Sequence, residues 1–340
     1  MRSFLRYFLL FLFLLAALTA LIPVRYGIPY PSQPGPKFDN AVRSRHILLM
    51  NENNVQLVLV GDSALEKGVD PRLLSASINM PAYAISIPGS TSPFWYVAIK
   101  NLILETEVKP KYVVIFFRDT ILTVPNYHVN GGYVKEIDEY ATSQEDTLLE
   151  LAYLNFLNPL EKAALTWLPV YGSREQLTGT VDFYARNMLP GLFGTCQREC
   201  LERAHAIVYQ VDNMQKDLRA DVLVNEQDIL YTRHAMDFNA SVGSSFLPEI
   251  IQLTRENGLQ LILVHERTLL FSSQAAEPEG LAGYKRALAE YLKANDVILL
   301  DFSYDPRIPP DFFDDAIHMT EAGQAAFTQM LAEALIPILR

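Results

Sequence analysis

Short apolar runs recur along the chain, and each ends abruptly at a glycine or a charged residue. Val55 to Val60 ends at Gly61-Asp62-Ser63, and Ala82 to Ile87 ends at Pro88-Gly89. Tyr112 to Phe117 ends at Arg118-Asp119, Leu259 to Val264 at His265-Glu266-Arg267, and Val297 to Leu300 at Asp301. Runs of this length, rich in Val, Ile and Leu, predict buried strands. Between them lie helical patterns over Pro93–Glu107, Phe246–Glu256 and Ala276–Lys293. A last helix is expected after Thr320, a capping residue, with Glu321 in the first turn, where the helix dipole favours an acid. Strands alternating with helices predict an α/β fold, a parallel sheet covered on both faces.

Two regions break the alternation. From about Leu122 to Val242 there is no strong strand pattern, and helical patterns run over Glu145–Phe156, Pro159–Trp167 and Arg198–Leu218. This predicts a large helical insertion, leaving the sheet at a strand's carboxyl end and lying over that end; a separate domain is the alternative. The other exception is the amino terminus. Arg2 and Arg6 precede an apolar run from Tyr7 to Val24, interrupted only by Thr19 and Pro23. Its length fits the low end of a membrane span, and it lacks the polar face of a soluble helix. Ala20 is a candidate cleavage residue, but Leu18 sits two positions earlier, where a small residue is wanted. Residues 1–24 therefore read as an uncleaved signal anchor, with Arg2 and Arg6 cytoplasmic and the remainder extracytoplasmic. Residues 25–54, with Pro29, Pro31, Pro34 and Pro36, read as a stalk and lead-in with a short helix near Arg43–Met50. Residues 55–340 form the expected domain.

A net charge of −11 argues against a nucleic-acid surface, and against docking on anionic lipid by charge alone. Cys196 and Cys200 are the only cysteines. Their spacing matches no common zinc pattern; outside the cytoplasm a local disulfide is expected, with two free thiols as the alternative. His46, His128, His205 and His234 show no ligand spacing, and no phosphate-binding glycine fingerprint occurs, so no metal or cofactor is expected.

The candidate chemistry lies at strand ends. Ser63 follows the first strand, in a rigid turn at the carboxyl edge of the sheet, where open α/β sheets place ligands. A serine nucleophile needs a base. Asp315 and His318 stand three apart just before the last helix, close enough for the acid to accept a proton from one ring nitrogen while the other faces the serine. His265, Glu266 and Arg267 follow the fourth strand and are expected to face the same crevice, with Arg267 either binding substrate or forming a structural ion pair.

With these residues the chain resembles the SGNH (GDSL) hydrolases. Gly61-Asp62-Ser63 matches their first block, Gly89 the second-block glycine, and Asp315-Ala316-Ile317-His318 the last block, Asp-x-x-His. The third block, Gly-x-Asn-Asp, reads Phe116-Phe117-Arg118-Asp119, with the glycine and the asparagine both replaced. The resemblance covers roughly 55–117 and 259–335 and omits the insertion. It implies a three-layer sandwich and a catalytic unit of Ser63, His318 and Asp315. It also implies an oxyanion hole from Ser63, Gly89 and the position held by Arg118, whose guanidinium has two alternatives, binding an acidic substrate group or pairing with Asp119. Membrane-anchored proteins of this kind are found with polysaccharide O-acetylation or teichoic-acid D-alanylation machinery. The resemblance thus implies an acyltransferase or esterase acting on a cell-surface polysaccharide, beside a multi-pass membrane acyltransferase. A lipase with a helical lid and a catalytically silent scaffold are the alternatives.

Overall fold

A computed structural model describes residues 2–26, 43–130, 132–142, 145–168 and 229–339, together with 35, 36, 38 and 171. The chain divides into two compact units, Met1–Gly35 with Tyr153–Asn225, and Pro36–Ala152 with Glu226–Arg340. The first contains α1 (Arg2–Tyr26), a helix of 25 residues. Its side chains are described without a break only over 4–15, and among the described residues no helix is long and apolar enough to cross a membrane. Every side chain from Phe4 to Leu15 is exposed. The same unit holds the helix Pro159–Trp167, started by a capping box between Asn158 and Glu161. Cys196, Cys200 and the expected helix Arg198–Leu218 lie outside the described residues.

The second unit is built on five parallel strands, β1 (Leu57–Gly61), β2 (Ala82–Ser86), β3 (Tyr112–Phe117), β4 (Gln260–His265) and β5 (Ile298–Asp301). Their order is β2-β1-β3-β4-β5. The chain steps from β1 outward to β2, then back across β1 to β3, so the order reverses between β1 and β3. Crevices at such a reversal, beyond the carboxyl ends of the strands, are where open sheets place ligands.

Strand alternation sends side chains to two faces. Leu57, Leu59, Val114, Phe116, Ile262 and Val264 join a core with Leu65, Leu74, Phe327 and Leu331. That core lies under α3 (Ser63–Gly68), α4 (Pro71–Ile78) and the last helix, Glu321–Leu335. The opposite face is covered by α5 (Ser92–Ala98), Phe246–Glu256 and Leu281–Ala294, which completes three layers. Thr320 caps the last helix as expected, its Oγ1 accepting from the Gly323 amide at 3.1 Å.

Helix limits depart from the sequence pattern where local chemistry intervenes. The helix expected over Pro93–Glu107 changes at Ile99–Ile103 to a wider π turn. The one expected over Ala276–Lys293 begins only at Leu281, because Pro278 lacks an amide proton and Gly280 adopts φ +107°. The early part of the expected insertion packs in the sheet unit: Leu122, Val124, Tyr127, Val129, Ile137 and Tyr140 are all buried. Glu145 anchors this stretch. Its carboxylate accepts from Lys100 Nζ at 2.9 Å, Asn101 Nδ2 at 2.8 Å and Thr142 Oγ1 at 2.8 Å.

Candidate active site

Ser63 is the first residue of α3, directly off β1. Two neighbours explain the turn. Asp62 Oδ1 accepts from the Ala64 amide at 2.8 Å, capping the helix. At Gly61 a methyl group would lie 2.8 Å from Leu65 Cβ and 3.1 Å from Phe116 Cβ, so only glycine lets the helix fold back this closely. The serine is thus fixed at the carboxyl edge of the sheet.

His318 arrives from the opposite end of the chain. Its Nε2 lies 2.9 Å from Ser63 Oγ, and its Nδ1 lies 2.8 Å from Asp315 Oδ2. A carboxylate only accepts, so it fixes the proton on Nδ1 and leaves Nε2 to accept from the serine. Asp315 is itself held: Oδ1 accepts from the amides of Ile317 and His318, both at 2.8 Å. Burial pushes the Asp315 carboxyl up, but the hydrogen bonds from the His318 ring and the two amides outweigh it. They hold its pKa below the ordinary aspartate value. Both side chains are about a third exposed (33% for His318, 29% for Asp315), so solvent can reach the base.

Gly89, in the turn after β2, adopts φ +71°. This turn is tied on two sides. Ser90 Oγ donates to the Gly61 carbonyl at 3.1 Å and accepts from Trp95 Nε1 at 3.0 Å. On the other side, Thr91 Oγ1 donates to the Tyr127 carbonyl at 2.9 Å, and His128 Nδ1 lies 2.8 Å from the Gly89 carbonyl oxygen. The second pair comes from the segment after β3, the start of the region expected over this end of the sheet, in which the sequence singled out neither Tyr127 nor His128 for the site.

Arg118 is buried, with Nε 4.0 Å from Asp62 Oδ2 and Nη1 3.4 Å from Asp119 Oδ2. Glu266 joins this group from the end of β4. Burial pushes its carboxyl well above the ordinary glutamate value, the nearby Asp62 charge adds to this, and the Arg118 charge partly offsets it. His265 and Arg267, its neighbours, are engaged elsewhere. His265 stacks on Phe117 at 4.9 Å between ring centroids, with Nδ1 3.1 Å from Asp301 Oδ1. Arg267 Nη1 donates to the Asp305 carbonyl at 2.7 Å. The three residues His265, Glu266 and Arg267 at the end of β4 therefore enter three different environments. No spacing signal in the sequence could have separated them. Among the described residues no group of three or more His, Cys, Asp or Glu is placed to hold a metal ion.

No family model matches the chain, and neither does any curated protein sequence. Among solved structures, the chain is similar to a GDSL-like lipase from Bacteroides thetaiotaomicron, at 11% identity and a TM-score of 0.40, over 87% of this chain and 96% of that one. It is also similar to a mutant of an acetyl-xylooligosaccharide esterase from Geobacillus, at 11% identity and a TM-score of 0.37, over 83% and 92% of the two chains. These alignments are long but loose, and the functional reading rests on the geometry of the site itself.

Proposed function

We propose that this chain is a serine ester hydrolase or O-acyltransferase that acts on O-acyl groups of a cell-surface polysaccharide. The observation that carries the reading is the unbroken relay from Ser63 Oγ to His318 Nε2 and from His318 Nδ1 to Asp315 Oδ2. A hydroxyl, an imidazole and a carboxylate in this order perform acyl transfer on many unrelated folds. Ser63 Oγ attacks the ester carbonyl carbon as its proton passes to His318 Nε2. The carbonyl oxygen takes the electron pair as an oxyanion, held by the Ser63 and Gly89 amides. Collapse breaks the bond to the alcohol oxygen, which leaves with the proton from His318. Water or an acceptor hydroxyl then repeats the steps in reverse order and releases Ser63. No cofactor enters this scheme.

The polysaccharide, the outward-facing location and a multi-pass membrane acyltransferase as partner belong to the same proposal. They are supported by the resemblance and by the run Tyr7–Val24, in which Tyr7 to Leu15, Leu18 and Leu21 stand exposed on α1. Nine consecutive exposed apolar or aromatic positions, Tyr7 to Leu15, would be costly in water. Arg267 is offered as a substrate-binding residue for its place at the end of β4; Nη1 is held by the Asp305 carbonyl, and Nε has no hydrogen-bond partner among the described residues.

The test uses the full chain purified in detergent. Release of acetate from an O-acetylated polysaccharide, or acetate transfer onto a deacetylated one when an aryl acetate is supplied, is the expected result. An aryl acetate left untouched, together with an intact acetylated glycan, would contradict the reading and favour a scaffold.

A further inference from the structure

We propose that Tyr133 supplies, through its phenol hydroxyl, the third donor of the oxyanion hole, with His128 as the residue that positions it against Gly89. The inference rests on the acyl-transfer reading above and adds a catalytic residue to it.

An oxyanion donor must aim a proton at the place where the carbonyl oxygen gains charge. Two such donors are the amides of Ser63 and Gly89. The end of β3 offers Arg118, but that guanidinium is buried between the carboxylates of Asp62 and Asp119. A different polar group stands at Gly89. A methyl group on the Gly89 α-carbon would lie 2.9 Å from both Tyr133 Oη and Cε1, and 3.3 Å from Cζ. The hydroxyl end of the tyrosine therefore rests on the Gly89 α-carbon, one covalent bond from the amide. Tyrosine hydroxyls are among the side chains that stabilise oxyanions elsewhere.

The surroundings hold the ring in that place. Tyr133 begins the short helix Tyr133–Asp138 and is half-buried. The His128 ring lies between two tyrosines, with centroids 3.8 Å from Tyr127 at 23° and 4.4 Å from Tyr133 at 11°. Its Nδ1 meets the Gly89 carbonyl at 2.8 Å. His128 thus fixes the Gly89 turn with its edge and the Tyr133 ring with its face. Its backbone adopts φ +55°, a left-handed conformation that L-residues rarely adopt. Such strain persists only where surrounding contacts impose it. Here those contacts converge on Gly89. In the transfer step the Tyr133 proton is shared with the oxyanion and returns unchanged when the intermediate collapses; no proton is lost or gained at this residue.

The experiment measures aryl acetate hydrolysis by the full chain in detergent, comparing the wild type with Tyr133→Phe and with 3-fluorotyrosine placed at 133. Tyr133→Phe keeps the ring and its stacking on His128 but removes the donor. The expected result is a fall in kcat of about 10²-fold, the scale of losing one oxyanion donor, with KM little changed. The fluorinated ring has a more acidic hydroxyl and is expected to keep or raise kcat. An active wild type with an unchanged kcat in Tyr133→Phe overturns this inference and leaves the acyl-transfer reading standing. Equal losses in both variants also overturn it, because packing and not donation would then be at fault. A wild type inactive on every ester overturns the acyl-transfer reading, and this inference with it.

Discussion

Replacing Gly89 with alanine perturbs backbone and packing at one point, and the two costs can be separated. At φ +71° an L-residue is strained by roughly 1–2 kcal/mol. The added methyl group would also lie 2.9 Å from Tyr133 Cε1 and Oη, closer than carbon and oxygen atoms tolerate. The tyrosine cannot simply swing aside, because His128 is stacked on it at 4.4 Å and is itself bonded to the Gly89 carbonyl. Overpacking of this kind costs about 1–3 kcal/mol. Together the two give a loss of roughly 2–5 kcal/mol, or a fall in Tm of roughly 4–20 °C for a domain of this size. The movement that relieves the contact also displaces the Gly89 amide, so kcat is expected to drop by about 10²-fold. Thermal unfolding of Gly89→Ala, Tyr133→Ala and the double variant forms the assay. Removing the ring abolishes the contact but not the backbone strain. The double variant is therefore expected to be more stable than the sum of the single losses by about 1–3 kcal/mol. Additive losses, or a Gly89→Ala protein with wild-type Tm and kcat, would refute the reasoning.

Asp315→Asn keeps the shape but gives up the charge and the acceptor that fixes the His318 tautomer; kcat is expected to fall by about 10²- to 10⁴-fold in steady-state assays, and a kcat within error of wild type would count against the relay. Glu266 has a folded pKa above its unfolded value, chiefly because burial disfavours its charge. The folded state then holds the extra proton, so the stability this group allows is present below the unfolded value of 4.5 and is lost as pH rises toward the folded pKa. Glu266→Gln, neutral at every pH, is expected to gain stability relative to wild type between pH 4 and pH 8 in urea unfolding. A gap that shrinks instead would show that Arg118 holds the carboxylate ionised. The run Tyr7–Val24 is expected to keep the full chain in the membrane pellet after alkaline carbonate extraction; complete release into the supernatant would remove the anchor from the account.

The strands were legible because each is a short apolar run that ends at a polar residue, and a parallel sheet buries such runs on both faces. Helix limits were less so. Nothing in Ile99–Ile103 announces a π turn, whereas Pro278 and Gly280 did carry the signal that delays the helix to Leu281. Ser63 and the Asp315–His318 pair could be found because a strand end and a three-residue spacing constrain where those side chains go. The clamp around Gly89 could not. Its members, Tyr127, His128 and Tyr133, sit in a segment without periodicity, and only the fold brings them to a turn that precedes them by some forty residues, 39 in the case of His128 and Gly89. Pairing of Arg118 with Asp119 was one of three outcomes left open by the sequence, for a related reason. Whether a guanidinium turns to the crevice or to Asp62 and Asp119 is decided by packing, and spacing along the chain does not encode it.

The most direct test of the account is whether Ser63 is a nucleophile activated by His318. The full chain, incubated with a fluorophosphonate, should gain one covalent phosphonyl group, and peptide mapping should place it on Ser63. His318→Ala should abolish the reaction while leaving the fold intact by circular dichroism. Labelling of His318→Ala at the wild-type rate, or no labelling of the wild type, would contradict the claim that this site performs acyl transfer.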